Sequence, residues 1–406
     1  MTGQGLWRNR NFRLLFSASS ATNLGDGLVA VAVPWLATLL TRDPVLIGLV
    51  AAARQAPWAL MSLPAGVLAD RHDHRLILIA ADAARIAAAL ALVALAVMAP
   101  PGTAAALVLA ALAFLMGAAE VLHDNTAQSF LPAIVPKDRL EQGNGTLWSA
   151  EQVLNQFAGP PLAGILIGTA VALPFGLQAA MLAGAIALVS ALRLPPAEKG
   201  PPQRMGPAIR EGLAFLWHHP ALRRMALALG AFNFTASIFW ALVVLYSQVV
   251  LGLSAAGYGG MMALVAVGGL AGSLTGPWLL RRTGQKAGLL IGVTGFLGAA
   301  LVLATTRSAP ATAAALAAEA YTAMLWNIVT VSYRQRHIPA PLLGRVNSVY
   351  RFIGTGPSAL GSLTGGAIVA LGASLGPVEA MQLPYLVCVA GAALILGYVA
   401  LALRLD

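Results

Sequence analysis

The chain has 406 residues, of which 58% are hydrophobic and only 10% are charged, with a net charge of +10. Soluble domains carry roughly 25% charged residues, so this chain cannot cover a water-facing surface of its size, and much of it must face lipid. The excess positive charge lies in small clusters between long apolar runs, not in a basic stripe with interleaved aromatics. That placement excludes a nucleic-acid partner and points to membrane topology.

The opening Trp7-Arg8-Asn9-Arg10-Asn11-Phe12-Arg13 leads into an apolar run over 12–40 that is interrupted by Asn23 and Asp26. The run is too long for a signal peptide and more follow, so it reads as a retained first helix. A crossing needs about 20 apolar residues. By that measure further spans are predicted over 45–69, 76–98, 103–130, 140–168 and 174–194. A second set is predicted over 222–250, 255–280, 287–304, 311–333, 342–369 and 383–403. The expected fold is therefore all-α and integral to the membrane, with twelve helices in two six-helix bundles, 1–194 and 221–406. The linker over 195–220 begins with Pro195-Pro196 and Pro201-Pro202. From Pro207 a short helix is expected, with Ile209, Leu213, Leu216 and Trp217 on one face suited to the inner membrane surface. Before Pro207 a partly ordered connection reads equally well.

Twelve spans divide the loop charges unevenly. Twenty Lys and Arg fall on one side, only Arg42 and Arg307 on the other, and Arg54, Arg85 and Arg351 lie inside spans. By the positive-inside rule both termini are cytoplasmic. The lone Cys388 allows no internal disulfide, and no metal site is expected. No P-loop, zinc-hydrolase or serine-nucleophile motif is present, so neither ATP drive nor an enzyme is expected.

The halves are weakly similar. Gly66-Val67-Leu68-Ala69-Asp70-Arg71 matches Gly276-Pro277-Trp278-Leu279-Leu280-Arg281, and Asp124, Pro136 and Asn144 match Asn327, Pro339 and Asn347. Two duplicated bundles can rock about a site between them. Gly268-Gly272-Gly276, Gly164-Gly168 and Gly361-Gly365 form small-residue stripes suited to close helix packing.

These residues resemble the major facilitator superfamily over nearly the whole chain. Gly66-x-x-x-Asp70-Arg71-x-Asp73-His74-Arg75 resembles its signature loop, with Asp73 and His74 departing from the usual Gly and Arg. The Leu6–Phe12 opening with Leu24-Gly25-Asp26, and Asp124-x-x-Ala127-Gln128-Ser129-Phe130-Leu131-Pro132, resemble its siderophore, macrolide and drug exporter branch. Gly159-Pro160-Pro161-Leu162-Ala163-Gly164 is similar to the antiporter motif G-P-x-x-G-G, with Ala163 replacing one glycine.

Charges within the bilayer cost about 2.5–3.5 kcal/mol on insertion scales and tend to face a cavity or a partner. The polar residues of the predicted spans include Asp26, Glu120, His123, Glu151, Asn155, Gln156, Asn233, Trp240, Glu319, Trp326 and Asn327. The resemblance implies that spans one, four, seven and ten line a central cavity, which singles out Asp26, Glu120, His123, Asn233, Trp240, Glu319, Trp326 and Asn327 as proton or substrate residues. Asp26 can titrate, or can instead pair with Arg54 or a group on another helix. Glu120 and Asp124 share a helix face, which leaves Glu120 open between a proton site and a structural one. The resemblance further implies an inner gate in which Asp70 reaches Arg351 and Asp124 reaches His74 or Arg75. The expected protein is a monomeric proton-driven exporter of an amphipathic or lipophilic small molecule in the bacterial inner membrane, needing no cofactor. An importer, a lysolipid flippase or a non-transporting sensor are the alternatives.

Overall fold

The computed structural model describes residues 6–61, 64–65, 68, 73–135, 139–192, 205–339 and 342–403. Among these the chain is helical and contains no strand. In order, the helices are α1 (Arg10–Leu40), α2 (Pro44–Leu60), α3 (His74–Met98), α4 (Thr103–Ile134), α5 (Leu140–Glu151), α6 (Gly159–Thr169), α7 (Leu173–Ser190) and α8 (Met205–His218). They continue with α9 (Pro220–Ala241), α10 (Val243–Val249), α11 (Ala255–Thr283), α12 (Gln285–Thr305), α13 (Ala309–His337), α14 (Leu343–Thr355), α15 (Ser358–Leu371) and α16 (Pro377–Ala402).

Nine unbroken stretches among the described residues are long and apolar enough to cross a bilayer, with α9 and α10 counted as one. The second predicted span is the shorter α2, the fifth is broken at 152–158, and the eleventh breaks between α14 and α15. The nine long stretches and these three shorter or interrupted ones are consistent with twelve spans. Large apolar side chains stand bare on the outside, including Leu371 at 85%, Leu401 at 84% and Met98 at 79% exposure. A soluble protein avoids such a surface; a lipid-facing one requires it.

Local chemistry explains the helix ends. Asn9 caps α1 by accepting from the backbone N–H of Asn11 at 2.9 Å, and its amide donates to the Ile134 carbonyl at 2.9 Å. The conspicuous opening motif therefore ties α1 to the end of α4. Asp73, the departure from the signature loop, caps α3 by accepting from the backbone of Arg75 at 2.8 Å. Ser254 and Ser308 cap α11 and α13 in the same way. Gly284 joins α11 to α12 at φ +85°, a conformation that favours glycine.

Residues 152–158 form a π-helical turn between α5 and α6. Pro160 and Pro161 have no N–H to donate, and the Gly159 N–H reaches back five residues to the Leu154 carbonyl. Such π turns concentrate at functional sites.

The chain forms two compact units, 1–40 with 60–203, and 41–59 with 204–406. This departs from the division expected at 195–220 in two places. First, α2 belongs to unit two: Gly48 stands backbone to backbone against Ser362 and Gly366, and the Gln55 amide donates to the Ser362 hydroxyl at 3.3 Å. Second, α8 also belongs to unit two. Leu216 is fully buried in its core, Glu211 is ion-paired with Arg345, and Gly212 lies against the Arg345 carbonyl. Leu213 and Trp217 remain exposed while Leu216 points inward, so the expected single membrane-facing stripe is split. The side chain of Ile209 lies outside the described residues.

In unit one a core of Phe12, Leu15, Leu78, Leu131 and Val189 packs α1, α3, α4 and α7. In unit two Leu222, Val293, Trp326, Tyr350 and Val399 pack α9, α12, α13, α14 and α16. The small-residue stripes act in packing: Gly268 and Gly272 of α11 meet the backbone of Ala317 and Tyr321 on α13, and Gly361 and Gly365 of α15 meet α9. Gly168 meets nothing within 4 Å, so the expected stripe in the fifth span does not extend to it.

Candidate functional site

In unit one, four ionisable side chains from three helices meet in the interior. Asp26 lies halfway along α1, Asp82 and Arg85 one turn apart on α3, and His123 on α4. The Arg85 guanidinium donates to Asp26 through Nη2 and stands 3.3 Å from Asp82 Oδ1 through Nη1. Asp82 Oδ1 also lies 2.9 Å from His123 Nδ1, at ion-pair distance but out of hydrogen-bond alignment. Gln178 of α7 donates its amide to Asp26 at 3.3 Å. Arg85 and Asp82 are each 1% exposed, Asp26 6% and His123 7%. Around them Asp82 Oδ2, Arg85 Nε and Gln178 Oε1 are buried with no hydrogen-bond partner among the described residues. Glu120 and Asp124, both half-buried on α4, lie within electrostatic reach of Arg85.

Asp26 is therefore paired with another helix, and its partner is Arg85. Arg85 was visible in the sequence only as one of three arginines inside spans, and Asp82 was not singled out. The signal was present: an acid and an arginine three residues apart within an apolar run share a helix face, and charges in a span mark a functional site by default.

The glycine that follows Asp26 links this cluster to the antiporter-like motif. A Cβ on Gly27 would stand 2.5 Å from the Asn155 carbonyl oxygen and 2.9 Å from the Gly159 Cα. The backbones of α1 and of the π turn thus touch directly at Gly27 and Gly159. Pro160 follows half-buried and Gly164 is buried on the same helix.

The inner gate expected from the resemblance falls only partly within the described residues. Gly66, Asp70 and Arg71 lie outside the described residues. Arg75 donates to the Ser190 carbonyl, not to Asp124. Its position at the start of α3 lies seven residues, about 10 Å of helix rise, before Asp82, whereas Asp124 sits beside His123. His74 opens α3, and the Arg351 guanidinium lies over the Trp58 ring at 5.2 Å, inside unit two.

In unit two, Glu319 is 6% exposed on α13, and its carboxyl has no ion-pair or hydrogen-bond partner among the described residues. It shares a helix stripe with Thr322 and Trp326, which meet Gly292 and Gly295 of α12. Trp326, expected to line a cavity, instead fills the core: it stacks on Phe232 at 5.5 Å and is 5% exposed. The space left by Gly292 draws it inward. Asn233 donates to the Gly354 carbonyl at 2.8 Å, bridging α9 to α14. Trp240 is half-buried against Phe239, and Asn327 is exposed. No cluster of metal-ligand type occurs among the described residues.

Lipid-facing helices in two units, with ionisable groups buried at mid-span, define a multi-pass membrane protein. The profile of one family, described as "Transmembrane secretion effector", matches residues 3–405. The chain belongs to that family and is a membrane transporter of the major facilitator type. No match was found among curated protein sequences. Solved structures agree on the fold. A bacterial homologue of the human lysosomal transporter Spinster, inward-facing, is 13% identical with TM-score 0.76, covering 99% of this chain and 98% of its own. An inward-facing bacterial homologue of the iron transporter ferroportin is 16% identical with TM-score 0.76, covering 98% and 99%. The nucleoside transporter NupG is 14% identical with TM-score 0.73, covering 98% and 100%.

Proposed function

We propose that this protein is a proton-driven exporter of an amphipathic or lipophilic small molecule, such as a drug, siderophore or metabolite. It works as a monomer in the bacterial cytoplasmic membrane with both termini inside. The observation that carries this reading is the set of ionisable side chains buried at mid-span: Asp26, Asp82, Arg85 and His123 in unit one and Glu319 in unit two. Buried ion pairs can often be replaced by apolar groups at no loss of stability. Their presence at a cost of several kcal/mol is explained by a cycle that loads and releases protons. The family's description as a secretion effector favours the outward direction, and the Gly159-Pro160 motif docked on α1 is similar to one found in antiporters.

The test is transport in everted and right-side-out vesicles of cells expressing the protein, with ethidium, a macrolide, a ferric siderophore and a lysophospholipid as probes. Export by antiport predicts accumulation in everted vesicles, driven by an inside-acid gradient and abolished by a protonophore. Uptake only into right-side-out vesicles reverses the direction. Movement of lysophospholipid between leaflets alone assigns a flippase, and binding without counterflow assigns a sensor.

A further inference from the structure

The charges around Arg85 do not balance without protons, and one place in the cluster is built to carry one. Arginine keeps its charge in any protein environment. Asp26 accepts from both Arg85 and Gln178, and so supplies the carboxylate that neutralises the guanidinium. Asp82 shares the same guanidinium from 3.3 Å but has no second permanent cation among the described residues, and its Oδ2 has no partner among them. The group next to Asp82 is the imidazole of His123, 2.9 Å away. With a proton on His123 or Asp82 the four side chains sum to zero. Without it they carry one negative charge in a site where Asp82 and Arg85 are 1% exposed.

We propose that His123 and Asp82 together hold one exchangeable proton in unit one, and that Asp26, locked by Arg85, does not carry it. This rests on the proton-antiport reading above and names the site within it. The other charged groups facing the pair are Arg85 on α3, Asp26 on α1, and Glu120 and Asp124 on α4; Gln178 on α7 is neutral. Four carboxyls thus stand against one permanent cation in this cluster. A metal ion is a poor substitute, because the Arg85 guanidinium occupies the centre of the cluster. Release of the proton leaves Asp82 dependent on Arg85 alone. The guanidinium is then drawn from Asp26 towards Asp82 on its own helix. That loosens α1 at the residue before Gly27, where it touches the π turn. Proton loss is thereby converted into a change at the α1–α6 contact.

The test needs no substrate. Purified full-length protein in lipid nanodiscs is titrated between about pH 9 and pH 5 in weak buffer, and bound protons are counted with an indicator dye. Wild type is expected to take up one proton more than His123→Gln or Asp82→Asn, while Gly168→Ala, at a position with nothing within 4 Å, keeps it. Equal counts in wild type and His123→Gln overturn the proposal. If a variant fails to insert, infrared spectra of wild type with ring-labelled histidine decide the matter. His123 is the only buried histidine among the described residues, and a second sample with the five other histidines replaced by glutamine assigns its band. A His123 band that changes with pH supports the site, and one that stays constant overturns it. The same variants in the vesicle assay separate the two proposals. Wild type that binds the proton but ignores a pH gradient overturns antiport and spares the site. Gradient-driven accumulation that survives in His123→Gln leaves antiport standing and removes this pair from it.

Discussion

Replacing Arg85 by methionine tests whether the buried cluster is an ionic unit. Methionine keeps most of the packing volume and removes the cation that Asp26 and Asp82 share. Asp26 and Asp82, whose side chains are 8% and 1% exposed, then lose their shared partner together. Removing one member of a buried pair costs about 3–5 kcal/mol because the survivor is uncompensated. With Asp82 and His123 sharing a proton, one negative charge is left uncompensated, and the middle of that range, about 4 kcal/mol, is expected. At roughly 2 °C per kcal/mol for a chain of this size, the melting temperature should fall by roughly 8 °C. The assay is thermal unfolding of detergent-solubilised protein, followed by intrinsic tryptophan fluorescence and by the monodisperse fraction surviving each temperature. Neutralising the stranded acids as well, in Asp26→Asn/Asp82→Asn/Arg85→Met, should recover most of the loss, since the cost lies in uncompensated charge and not in lost contacts. An Arg85→Met protein that melts within about 2 °C of wild type, or a neutral combination no better than the single variant, would refute the reasoning.

The direct backbone contact of α1 with the π turn predicts that Gly27→Ala, whose Cβ would lie about 0.9 Å inside ordinary van der Waals contact with Asn155, destabilises by about 1–3 kcal/mol. Gly168→Ala, with nothing within 4 Å, should stay within about 0.5 kcal/mol of wild type in the same thermal assay. Glu319→Gln should exchange probe down its gradient in proteoliposomes yet lose at least half of uphill accumulation if the unit-two carboxyl also takes part in coupling; unchanged accumulation removes it. Glu211→Ala breaks an ion pair whose side chains are 50% and 34% exposed and should cost less than about 1 kcal/mol, whereas Gly212→Val, forced against the Arg345 carbonyl, should release α8 to limited proteolysis. Reporter fusions after Asp406 and within 195–207 should read cytoplasmic, and those near Gly102, Ser254 and Gly376 external; a reversed pattern would overturn the charge-based topology.

Class and span positions were legible in the sequence because hydropathy and length are local properties of the chain. Leu371, Leu394 and Leu401 belong to apolar runs, and bare apolar surface follows wherever such runs outnumber what a core can hold. The caps at Asn9, Ser254 and Ser308 act over two or three residues and are equally local. Pairing is not. Asp26 and Arg85 are 59 residues apart, and which acid meets which base depends on how each helix is rotated about its axis, a quantity fixed by packing on its neighbours. The same rotation turned Trp326 into a core residue against Gly292, directed Arg75 to Ser190, and placed Leu216 inward between Leu213 and Trp217. The grouping of α2 with unit two follows from Gly48 and Gly366, whose missing side chains let two backbones meet across more than 300 residues of chain. Sequence alone determined that buried charges would exist; only the tertiary structure decided their partners, because a charge in lipid is defined by what lies within a few ångströms of it.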